Sequence, residues 1–181
     1  MGFANDILVP HPALPYPPVY TFTAAVTWGC ERALALCFRL DAFVDELRIP
    51  ALGPTRRADD LWQHTCFEVF VGFPTRKRYL ELNFSPSGAW AAYDFASYRK
   101  RSSATVIAAP EIYTRIDVDS VELEATIAID RWLGKPPPLL HVGLAAVLED
   151  AEGALSYWAL HHAGDKPDFH DPQTFTLQVS G

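Results

Sequence analysis

The chain has 181 residues, 49% hydrophobic and 20% charged, which describes an ordered globular protein long enough to bury a core without staples. A formal charge of −7 argues against nucleic acid as a partner, because a phosphate backbone calls for a basic surface. Three cysteines, Cys30, Cys37 and Cys66, show no C-x-x-C spacing, and their odd number argues against a disulfide framework.

Residues 1–18 read as a proline-rich extended lead-in without a hydrogen-bond ladder of its own, and residues 19–181 as one domain. The N-terminus lacks a basic stretch followed by a long apolar one, and no run reaches the roughly 18 apolar residues of a membrane helix. A reduced, cytoplasmic setting without membrane contact is the expectation. Strands are predicted at Val19–Trp28, Ala33–Leu40 and Asp45–Ile49, with Trp28–Arg32 as the first turn and Pro50–Asp60 as a loop.

Thr65–Val71 alternates, with Thr65, Phe67, Val69 and Val71 on one face and Cys66, Glu68 and Phe70 on the other. Tyr79–Phe84 alternates likewise, and Gly72–Arg78 joins the two as a hairpin. Trp90–Phe95 follows the turn signal Pro86-Ser87-Gly88. Glu111–Val118 and Val121–Ile129 come next, then one helical turn at Asp130–Gly134 and a stiff link at Lys135–Pro138. Leu139–Leu148, Ala154–His162 and Thr174–Val179 complete the set, with Asp150–Gly153 as a hairpin turn. Frequent turns between short alternating strands, and almost no helix, predict an all-β antiparallel sandwich, jelly-roll-like.

Nucleotide-binding glycine motifs, a G-x-S-x-G elbow and zincin motifs are all absent. Cys66 has His64 two residues away, but a thiol in a dense apolar run reads as inert packing. Glu68 and Glu81, on neighbouring strands, leave a cryptic glycoside hydrolase as one alternative. The other alternative is a structural or protein-interaction sandwich whose aromatics are all core.

The preferred reading is non-catalytic binding of a small molecule or saccharide. An indole offers a flat apolar surface to a pyranose ring, and carboxylates and amides take up its hydroxyls. The candidate ligand residues are Trp62, Glu68, Glu81, Asn83, Trp90, Trp158 and His162. No catalytic residue, metal ligand or cofactor is assigned, and the oligomeric state is left open. His162, Asp168 and His170 are expected to form a hydrogen-bonded brace at one end of the sandwich, with a three-ligand zinc site as the sharper alternative. The basic clusters at 56–57, 76–78 and 99–101 read as solvated loop charges.

The runs DLWQHTCFEVFV, YLELNFSPSGAWAAYDF and YWALHHAGDKPDFH together resemble DOMON-like domains related to type 9 carbohydrate-binding modules, in an uncharacterised bacterial branch. The resemblance covers the chain beyond the lead-in. It implies a jelly-roll sandwich with a binding role, sugar and haem being the ligands of that superfamily. It further implies that Trp62 and Trp158 enclose a sugar while Glu68 takes its hydroxyls. Haem-binding relatives use a Met and a His as axial ligands, whereas the one methionine here is Met1.

Overall fold

Alternation of apolar and polar residues builds the first sheet. In the computed structural model, which describes residues 6–29, 33–102, 107–134 and 139–180, this sheet runs β1 (Asp6–Ile7), β3 (Val19–Trp28), β4 (Ala33–Ala42), β11 (Ser120–Ala128), β10 (Glu111–Ile116). Leu34, Leu36, Phe38 and Leu40 of β4 point inward, as do Val121, Leu123, Ala125 and Ile127 of β11. Apart from the buried Ser120, their sequence neighbours are partly or fully exposed, as period-two geometry requires of a sheet wet on one side.

The second sheet runs β2 (Val9–Pro10), β13 (Leu155–Ala159), β12 (Leu140–Glu149), β6 (Cys66–Phe73), β7 (Arg76–Phe84), β8 (Ala89–Ser97), β5 (Arg56–Arg57). Two further strands attach to it, β14 (Leu177–Val179) on β12 and β9 (Lys100–Arg101) on β8. Described pairings are antiparallel except that of β5 with β8. The two sheets close over one core, in which Phe38 stacks on Phe67 at 5.1 Å and Phe22 meets Phe67 edge-on at 5.7 Å between ring centroids. The molecule is an antiparallel β-sandwich.

The lead-in differs from expectation, because its backbone is paired. Asp6–Ile7 joins β3 in the first sheet, Val9–Pro10 joins β13 in the second, and Leu8 between them is buried in the core. Proline tolerates this only at a sheet edge, where its missing N–H is not needed, and β2 lies at one end of the strand order. The Asp45–Ile49 strand is instead a 3₁₀ turn at Val44–Glu46 followed by a single bridge from Leu47 to Asp150; the acidic run lacks the alternation a strand needs. Thr174–Val179 shortens to β14, after a 3₁₀ turn at Pro172–Thr174 whose first N–H groups are capped by Asp171. The turn at Trp28–Arg32, with Cys30, falls partly outside the described residues, and Lys135–Pro138 and Met1 lie wholly outside them.

One feature of the second sheet positions the site: both of its faces are covered. After β13 the chain crosses the outer face of the sheet before returning as β14 beside β12. Phe169 and Phe175 of this crossing segment pack on Phe70, and Phe175 also on Tyr79. Gly143 makes room for it, since a Cβ there would stand 2.9 Å from the Phe175 ring.

Candidate ligand-binding cleft

A cleft of about 790 Å³ opens where the crossing segment leaves the outer face uncovered, a size typical of small-molecule sites. Its floor takes one residue from each of five adjacent strands: Tyr157 of β13, Val147 of β12, Glu68 of β6, Glu81 of β7 and Phe95 of β8. Trp62, on a 3₁₀ turn at Leu61–Gln63, stands on the wall and is 45% exposed. Arg99 and Arg101, from the β8–β9 end, form another part of the rim. The crossing segment contributes Lys166, Pro167, Phe169 and His170, and the lead-in contributes Leu14.

The two acids of the floor sit diagonally across the β6–β7 ladder. Glu68 faces Asn83 and Glu81 faces Phe70. Glu68 is only 4% exposed, and no side-chain hydrogen bond reaches it among the described residues. Burial, reinforced by the charge of Glu81, holds its carboxyl well above the usual carboxylate range. Glu81 is raised as well by burial, but the Asn83 amide donates to its Oε1 at 2.9 Å, and Arg101 and Arg99 lie close enough to favour its charge. The floor therefore pairs a carboxyl strongly biased towards its neutral form with one that is more readily ionised. Among the described residues Asn83 Oδ1 is buried without a donor, opposite Glu68 in register.

His170 ties the crossing segment to the sheet. Its Nδ1 lies 2.8 Å from the Tyr79 hydroxyl, which accepts the Arg99 backbone N–H at 3.0 Å. We assign the Tyr79 O–H as donor to Nδ1, which leaves the proton of neutral His170 on Nε2, facing Glu81 Oε2 at 3.6 Å. Burial, then the charge of Arg99, presses its pKa down to about 4 against an opposing pull from Asp168, and Arg101 adds a smaller push downward. Asp168 accepts from Tyr98, from Arg99 at 2.7 Å and from the His170 N–H at 3.2 Å. Burial pushes the Asp168 carboxyl upward, but these bonds outweigh it and leave it lowered.

The brace expected of His162, Asp168 and His170 thus contains only the last two. His162 Nε2 donates to the Val9 carbonyl at 2.9 Å, and its ring meets His11 edge-on at 4.7 Å. With His11 Nε2 donating to the Gly164 carbonyl at 3.1 Å, His162 fastens the lead-in to the chain beyond β13. It does not line the cleft.

Of the other sequence candidates, the structure brings Trp62, Glu68, Glu81 and Asn83 to one face. Trp90 and Trp158 are corrections, for both point to the opposite side of the same sheet, into the core. Trp158 is 4% exposed, packs on Phe22 at 5.8 Å and donates its indole N–H to Ser156 at 3.0 Å. Its neighbour Tyr157 holds the cleft position, as alternation along β13 dictates once the parity is known. Cys66 is fully buried, and burial followed by Glu68 and Glu81 raises its thiol far above the range of a nucleophile. Sequence reasoning missed Tyr157, Phe95 and Phe169, and treated Arg99 and Arg101 as solvated charges. For Phe95 the signal was its place on the strand after the Glu81 strand, whereas nothing local marked Tyr157 as the outward residue of β13.

These elements define a class of molecule, a β-sandwich with a cleft across its larger sheet. Among solved structures it is similar to a candidate carbohydrate-binding protein from Bacteroides uniformis, at 16% identity and a TM-score of 0.67, covering 99% of this chain and 86% of that one. It is also similar to a family 9 carbohydrate-binding module from Caldicellulosiruptor kristjanssonii. With the cellotriose complex the TM-score is 0.62 at 14% identity, covering 98% and 82% of the two chains. With the glucose complex it is 0.57 at 12%, covering 88% and 75%. At these identities the likeness is one of fold. The sequence matches no protein-family model and no curated protein at a significant level.

Proposed function

We propose that this chain is a non-catalytic saccharide-binding module, DOMON-like in its kinship with the type 9 modules, and that its ligand lies in the cleft over Glu68 and Glu81. The observation that carries this reading is Glu68, an acid only 4% exposed that lines the cleft and has no hydrogen-bond partner for its carboxyl among the described residues. Buried polar groups are otherwise hydrogen-bonded, and ligand hydroxyls, which both donate and accept, would satisfy it. Trp62 supplies an exposed indole beside it for the apolar face of a sugar ring, with Tyr157 and Phe169 as further aromatic lining. The solved structures with glucose and cellotriose bound make these two sugars the first ligands to try.

Isothermal titration calorimetry with a panel that includes glucose and cellotriose tests the reading. Binding should weaken roughly ten-fold, about 1–1.5 kcal/mol, in Trp62→Ala. The melting temperature should hardly move, because an indole exposed to this degree contributes little to the core. No heat with any saccharide, or equal affinity in Trp62→Ala, refutes it.

A further inference from the structure

The charges around the cleft are not evenly matched. At the rim, Arg99 is held by Asp168 at 2.7 Å. On the flank of the same sheet, Arg78 is held by Asp94 and Arg48 by Glu149, each at 3.0 Å. Arg101 and Lys166 line the cleft, and their side chains make no ion pair or hydrogen bond among the described residues. The Arg101 guanidinium lies 3.8 Å above the centre of the Tyr93 ring and 5.9 Å from that of Phe95. Stacking of this kind uses the face of the guanidinium and leaves its N–H edge free, the edge that grips a carboxylate with two parallel bonds.

Deepening the saccharide reading, and resting on it, we infer that the ligand is an acidic saccharide, a sugar whose carboxylate is held by Arg101 and Lys166 while its ring hydroxyls reach Glu68 and Glu81. Two acids on the floor are no obstacle to an anion. Glu68 is so deeply buried that its neutral form is favoured, and the charge of Glu81 is offset by Arg101 and Arg99. A neutral Glu68 can also donate a hydrogen bond, which a carboxylate-bearing ligand can accept. A carboxylate fits better than a phosphate, because the cleft offers one planar fork and one ammonium, with no helix N-terminus among its lining residues.

Calorimetry on the full chain at pH 7 with matched pairs (glucose and glucuronate, galactose and galacturonate, mannose and mannuronate) tests this. In at least one pair the uronate should bind about ten-fold tighter, the worth of one charge-assisted pairing of about 1.4 kcal/mol. The preference should shrink in 1 M salt. The ratio of uronate to neutral-sugar affinity should fall below about two-fold within Arg101→Gln; Lys166→Ala, at an exposed position, should lower it in part and serves as the variant least able to disturb folding. Neutral sugars binding as tightly as uronates in every pair, or sugar phosphates binding tighter than uronates, would overturn the acidic ligand and leave the saccharide reading intact. Succinate binding as tightly as the best uronate would overturn it too, by showing a site for anions alone. Absence of binding by all the sugars would overturn both.

Discussion

The two sheets of this sandwich spend their surfaces differently. The first keeps one face for the core and one for water, and its strands alternate accordingly between buried and exposed residues. The outward side of that sheet carries ordinary surface chemistry. Glu122 reaches Arg115 at 2.9 Å and Arg39 at 3.8 Å, and Tyr113 is open to solvent. In the second sheet β6 is buried along its whole length, as are most of β7, β8 and β12. Its outer face carries a second apolar cluster of Phe70, Tyr79, Tyr93 and Phe95 under Phe169 and Phe175. A polar residue on an outward face of the first sheet means solvent; the same residue on the second means an enclosed group in need of a partner. That difference turns Glu68 and Glu81 from surface acids into a site.

Substitutions that report on each surface separate these roles. The largest effect belongs to the inner face. Trp158→Ala should cost about 3–5 kcal/mol in urea unfolding, as large aromatic deletions in cores do. A nearly normal stability together with lost ligand binding would reverse the assignment of Trp158 to the core, and with it the parity of β13.

An intermediate effect belongs to the covered outer face, and pH exposes it. His170 has a folded pKa of about 4, below its usual 6.5, so the unfolded chain takes up the proton first as the pH falls. Its contribution to stability is complete above pH 6.5 and is lost on descending towards 4. Relative to His170→Gln, the wild type should therefore lose about 1–3 kcal/mol between pH 7 and pH 4. The comparison with the variant matters, because Glu68 and Glu81 have raised pKa values and act in the opposite sense, stabilising at low pH and less so as the pH rises past the usual carboxylate range. Parallel curves for the two proteins would mean that His170 is open to water and the crossing segment does not seal the face.

The smallest effect belongs to the wet face of the first sheet. Glu122→Gln removes two ion pairs with half-exposed arginines and should change stability by only about 0.2–1 kcal/mol, less at high salt. A larger loss would show that this face, too, is shielded.

The sandwich was legible in the sequence because strand periodicity is a local property. The alternation of β11 alone predicts which of its side chains enter the core, and the structure agrees residue by residue. The facing of Glu68, Glu81 and Asn83 was legible for the same reason. Trp90 and Trp158 were misplaced because period two separates residues into two sets without saying which set faces the partner sheet. Where both sets are apolar, as Trp158 and Leu160 against Tyr157 and Ala159, either could be inner. Only the sheet packed above decides. The pairing of the lead-in with both sheets was likewise hidden, since its prolines argue locally against strands while edge positions far along the chain accept them.

By itself, then, the sequence determined the fold class, most strand positions and the grouping of two acids and an amide on one side of a hairpin, all consequences of backbone geometry acting over a few residues. The tertiary structure decided which tryptophan meets solvent, which arginines keep their acid partners, and that a segment 75–100 residues beyond the hairpin folds over it. These depend on contacts between residues distant in sequence, and burial arises only once the chain has closed on itself. The depth that buries the Glu68 carboxyl comes from the strands and the crossing segment assembled around it.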